Sequence, residues 1–138
     1  YRSNVQALIA DARRQGIDVV LIKQPVSARG PRYETMSYES ENASVQGKLD
    51  RGESLSFIDV WMLKQHRVMD ELLKIADEEH LPLVDNVKIV DQDRRRLASW
   101  AHLTGEANRR LAEALEVTIK PYVLRRLGRS RGRETRVK

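Results

Sequence analysis

Val5, Leu8, Ile9 and Ala12 recur at helical spacing, and Gly16 follows where a helix would end. Asp18-Val19-Val20-Leu21-Ile22 is a continuous apolar run. It predicts a strand covered on both faces, closed by Lys23-Gln24-Pro25 because proline cannot continue a central ladder. Residues 26–56 carry glycines, Pro31 and many polar side chains. A connection of that length predicts a lid or binding loop, with a short helix over Tyr38–Leu49. Ile58, Trp61, Met62, Gln65, Val68, Met69, Leu72, Ile75 and Ala76 then trace one broad face, predicting a helix over 57–79 with Ser56 as its N-cap. His80-Leu81-Pro82-Leu83-Val84-Asp85 predicts a second short strand. Asn86–Arg96 reads as a charged connection with one apolar patch at Val87, Ile89 and Val90. A last helix starts after Thr104, with Ala107, Leu111, Leu115, Thr118 or Ile119, and Tyr122 on its inner face.

Strands alternating with helices predict an α/β layer fold with a parallel sheet. Two strands cannot complete such a sheet, and a strand that is apolar on both faces needs neighbours at both edges. The missing strands are expected in an upstream segment, on a second chain, or through homo-oligomer formation.

Composition narrows the class further. At 138 residues, 41% hydrophobic and 33% charged, the chain is sized for one globular domain. It has no cysteine, which excludes disulfides, thiolate metal sites and a cysteine nucleophile without fixing a compartment. No apolar run reaches the ~20 residues that span a bilayer. The net charge of +5 is concentrated at one end: residues 120–138 hold eight Lys or Arg and one acid, leaving −2 for residues 1–119. Such a block reads first as a solvated end. Nucleic acid or anionic lipid is a lesser reading, because the body has no basic surplus. His66 and His80 sit on and at the end of the long helix and read as structural. Three scattered histidines give no metal-ligand spacing, and no glycine-rich phosphate loop is present, so neither metal nor cofactor is expected.

The chemistry concentrates at His102. An imidazole just before a helix start can project into a cleft, as a general base must. Around it, His102-Leu103-Thr104 followed by Glu106 and Asn108 resembles the terminal block of the SGNH hydrolases, the GDSL esterases and lipases. Val19–Pro25 after the first helix, and His66–Val84, are similar to that family's preceding units. The resemblance covers residues 1–123 and implies the C-terminal portion of a flavodoxin-like three-layer parallel-sheet fold, with 124–138 a basic, flexible tail. It implies an ester hydrolase acting on a small-molecule, lipid or acylated-glycan ester, in which His102 is the catalytic base. The family's orienting aspartate is here Ser99; Asp91 and Asp93 could replace it only if the loop folds back. The family's glycine after the glutamate is Ala107. The nucleophile serine and oxyanion donors belong to blocks that precede the matched region, so this chain alone is expected to be inactive. Gly52-Glu53-Ser54-Leu55 echoes the family's nucleophile signature, but Gln46–Arg51 before it cannot be a buried strand, so Ser54 is set aside. The alternative is a non-catalytic relative in which Ser99 marks a lost triad and the fold serves binding or assembly.

Overall fold

Helix α1 spans Arg2–Arg14 and buries Ile9. It stops at Gly16, which takes φ 68° while the Ile17 N–H donates to the Ala12 carbonyl across it. Without a Cβ, glycine enters that left-handed conformation at least cost. This computed structural model describes residues 1–26, 37–91, 93–99 and 101–134, with side chains as far as residue 128 apart from that of Arg94. Residues 27–36 of the expected lid, and Trp100, lie outside the described residues.

Strand β1, Leu21–Lys23, runs parallel to β2, Leu83–Asp85, in the register Leu21↔Leu83, Ile22↔Val84, Lys23↔Asp85. The expected first strand began at Val19, but pairing starts two residues later. The residue opposite the start of β1 is preceded by Pro82, which has no N–H to donate, although its carbonyl accepts from Leu21 at 2.9 Å. The chain is therefore mixed α/β, mostly helical around a two-stranded parallel sheet.

Helix α2, Tyr38–Asp50, is the short helix expected over 38–49. Ser37 caps it by accepting from the Ser40 N–H, and the Asp91 carboxylate accepts from the Tyr38 N–H at 3.0 Å. Helix α3, Phe57–Glu78, opens on a reciprocal capping box between Ser56 and Asp59, and the Lys48 ammonium donates to the same carboxylate at 3.0 Å. Its buried face carries Asp59, Met62, Leu63, His66, Met69, Leu72, Ile75 and Ala76. Met62, Met69, Leu72, Ile75 and Ala76 of the expected stripe are buried and Trp61, Gln65 and Val68 half-buried; Ile58 is exposed, while Asp59 and His66 turn inward. Hydropathy alone places polar residues outside, but here Asp59 is satisfied by cap and lysine, and His66 lies flat under Tyr38.

Helix α4, Asn86–Asp91, and a single 3₁₀ turn at Arg94–Arg96 occupy the stretch read as a charged connection. Asp85 starts α4 by accepting from the N–H groups of Val87 and Lys88. Helix α5, Gly105–Glu134, begins where Thr104 accepts from the Ala107 N–H at 3.3 Å. It continues through Pro121 and past residue 124, where the sequence reading placed the basic tail. Arg126, near its end, donates to Asp18 at 2.9 Å and to the Gly16 carbonyl, tying α5 to the turn before β1. Helix α3 packs on β1 and α1, and α5 packs on β2 and α4, around Met62, Ile75, Val90, Leu97 and Ala107. Ala107, which stands where the resembled family has glycine, is fully buried at this seam.

Candidate active site

The loop before α5 is closed by its own backbone. The Thr104 N–H donates to the Arg96 carbonyl and the Ala98 N–H to the His102 carbonyl, both at 2.7 Å, and Leu97 and Leu103 form an antiparallel bridge. Leu97 is buried and anchors one side. This leaves His102 at the tip of a pinned loop, its ring exposed, immediately before the first turn of α5.

Ser99 Oγ lies 2.6 Å from His102 Nδ1. The same oxygen accepts from the backbone N–H groups of His102 at 3.2 Å and Ala101 at 3.4 Å. With its acceptor directions occupied by main chain, the hydroxyl has its own hydrogen to offer, and Nδ1 is the acceptor. That arrangement goes with the neutral ring's proton on Nε2. A base working through Nε2 needs the opposite tautomer, with Nδ1–H held by an acceptor. An aspartate at 99 would enforce that tautomer; a serine with these partners favours the other.

The two acids considered as substitutes are engaged elsewhere. Asp91 accepts from the Tyr38 N–H at the start of α2, and Asp93 from the Arg95 backbone and guanidinium. The Arg95 contact holds the Asp93 carboxyl below its ordinary value. Glu106 is bridged by Arg110 and Arg109, which likewise keep it ionised. Among the described residues, His102 has Ser99 as its one hydrogen-bonding side chain.

His102 borders a cavity of about 450 Å³ at the C-terminal ends of β1 and β2, together with Gln24, Asn86 and Asn108. Parallel strands in register aim matched side chains to one face, so Ile22 and Gln24 share a side with Val84 and Asn86. Asn86 is 2% exposed, and its Oδ1 is buried without a hydrogen-bond partner. In sequence it reads as an ordinary residue after a strand; only the register brings it beside Gln24 and His102. Ser54 lies in the exposed connection between α2 and α3 and is not among the cavity's lining residues.

No family model matches this chain, and no curated protein or solved structure does. The case for function therefore rests on the residues themselves.

On the opposite face of β1, Lys23 sets its ammonium 5.1 Å over the Tyr38 ring, which stacks on His66 with centroids 3.8 Å apart. Tyr38 Oη and His66 Nε2 are buried without partners. Burial raises the Tyr38 phenol well above its usual value, and Asp70, Asp85 and Asp91 add to that. Burial lowers His66 to about 4; Asp70 opposes the shift and Lys23 adds to it. Sequence reasoning gave no signal for this cluster, because its members lie on three separate elements. No group of three His, Asp or Glu among the described residues could hold a metal ion, and no helix among them is long and apolar enough to cross a membrane.

Proposed function

We propose that this chain is the histidine-bearing C-terminal portion of a serine ester hydrolase of the SGNH type, within a flavodoxin-like three-layer fold. The observation that carries the reading is His102, held by Ser99 at 2.6 Å on a pinned loop, at the edge of a cavity beyond the carboxyl ends of parallel strands. Open parallel sheets bind their ligands at that end. The resemblance of His102-Leu103-Thr104, Glu106 and Asn108 to the family's terminal block gives the imidazole its role. It takes the proton of a serine hydroxyl supplied by another segment as that oxygen attacks the acyl carbon, then returns it to the departing alcohol. The substrate is a carboxylic ester.

The test uses the polypeptide together with whatever coding sequence precedes Tyr1. It should hydrolyse p-nitrophenyl acetate and be labelled by a fluorophosphonate. His102→Ala should lower kcat by about a thousandfold or more without altering the circular dichroism spectrum. Folded protein that neither turns over nor labels would overturn the proposal.

One observation favours a second reading. Ser99 stands where the family has its acid, and its backbone contacts favour the unproductive tautomer, as expected of a relative retained for binding or assembly rather than catalysis. The same labelling experiment separates the two.

A further inference from the structure

The cavity beside His102 has a chemical character of its own. Among the described residues three carboxamides line it, Gln24, Asn86 and Asn108, interspersed with Ile22, Leu103 and Leu111, and no Lys, Arg, Asp or Glu does. Its volume of about 450 Å³ falls within the roughly 300–1,000 Å³ of small-molecule sites. A carboxamide both donates and accepts, so it matches groups that also do both. Among the described residues a phosphate or carboxylate finds no cation at this wall, and an ammonium no anion. An alkyl chain filling the cavity would cut the amides off from water with nothing to bond, a costly arrangement. Hydroxyl groups on a carbon ring satisfy the wall: they pair with the amides while the ring's C–H faces lie on Ile22, Leu103 and Leu111.

Asn86 is the independent sign that something belongs here. Its side chain is 2% exposed, its Oδ1 is unpartnered, and it stands at the wall where β2 passes into α4. Buried side-chain oxygens without partners are rare in folded proteins, and this one lies just behind the cavity wall, where a turn of the amide would present it to a ligand.

We infer that this cavity is a subsite for a neutral, polyhydroxylated group of the sugar class, with Asn86, Gln24 and Asn108 as its hydrogen-bonding wall. Resting on the proposed hydrolase reading, the group is the alcohol side of the ester. The histidine that protonates the departing oxygen must stand next to the alcohol, and His102 borders this cavity. The substrate is then an acylated carbohydrate rather than a long-chain lipid ester.

The experiment is a nitrogen-15 NMR titration of the protein together with any coding sequence that precedes Tyr1, following the side-chain NH₂ signals of Gln24, Asn86 and Asn108. Methyl β-glucopyranoside is the probe, and hexanoate and inorganic phosphate are the comparisons. The glucoside should shift all three signals saturably, and Asn86→Leu should weaken its binding about fivefold, the effect of losing one hydrogen bond. If that variant does not fold, Asn108→Ala supplies the same readout. No response to the glucoside, or an equal or stronger response to hexanoate or phosphate, overturns the inference. Sugar binding without fluorophosphonate labelling refutes the hydrolase reading alone; labelling and ester turnover without sugar binding refute the subsite alone.

Discussion

At the scale of single residues, the Ser99–His102 contact makes the sharpest prediction. If the backbone N–H groups of Ala101 and His102 commit Ser99 to donating, the serine holds the imidazole in the wrong tautomer, and the cost to catalysis is the missing carboxylate. Ser99→Asp should then raise kcat of the complete protein by about tenfold or more, since an aspartate both fixes Nδ1–H and stabilises the imidazolium. Ser99→Ala should change kcat far less. An unchanged or lower rate in Ser99→Asp, measured with p-nitrophenyl acetate, would remove the tautomer argument. His66 makes the second prediction. Its folded value is about 4 against an ordinary 6.5, because burial beneath Tyr38 disfavours the charged ring. The unfolded chain thus takes up the proton first as pH falls. The stability from keeping His66 neutral is full above about pH 6.5, declines from there to about pH 4, and amounts to roughly 3 kcal/mol. Urea midpoints measured across that window should fall with pH, and in His66→Phe, which keeps the stack, that slope should be largely gone. His102 was legible in the sequence because a histidine next to a Thr cap is a local pattern. Asn86 and the Lys23–Tyr38–His66 cluster were not, because their meaning comes from strand register and from three elements meeting.

At the scale of elements, local chemistry was read well and tertiary choice poorly. Ser56, Thr104 and Gly16 marked helix ends that hold, since caps act within a few residues. The inner face of α3 holds at Met62, Met69, Leu72, Ile75 and Ala76 but leaves out Asp59 and His66, which are buried by partners on α2 that hydropathy does not report. Helix α4 escaped notice because six residues are too few for a period to show. One regularity among the helix ends is testable. Helices α1, α2 and α3 all end on a left-handed residue, Gly16 at φ 68°, Gly52 at φ 68° and His80 at φ 50°, each followed by an N–H bonding back across the turn. Only His80 carries a side chain into that region. Gly16→Ala should destabilise the fold by about 1 kcal/mol. His80→Gly should stabilise it by a few tenths to ~1 kcal/mol, because relief of the strain exceeds the added freedom of the unfolded chain. Thermal unfolding at constant pH reads both, and a stabilised Gly16→Ala would contradict the assignment of strain.

At the scale of the molecule, apolar side chains and a sheet edge stand uncovered. Leu8, Ile17, Phe57, Val117 and Leu124 are all exposed. Among the described residues each strand also has a single neighbour, so β1 and β2 each leave an edge of unpaired backbone. An open edge and uncovered apolar side chains are what the sequence pattern implied when it gave a doubly covered strand too few partners. Covering each 100 Å² of apolar area is worth on the order of 2.5 kcal/mol before ordering costs, a large share of a marginal fold's stability. The 138-residue chain expressed alone should therefore self-associate, and its melting temperature should rise with concentration. Joined to any coding sequence that precedes Tyr1 and supplies strands, it should run as a smaller species and melt higher, because those strands would cover the edge of β1 in the same chain. Light scattering after gel filtration, with thermal melts over a hundredfold range of concentration, checks both arms. A monomer whose melting temperature does not move with concentration would show that the two-stranded sheet suffices, and would remove the main physical reason for seeking the rest of the domain elsewhere.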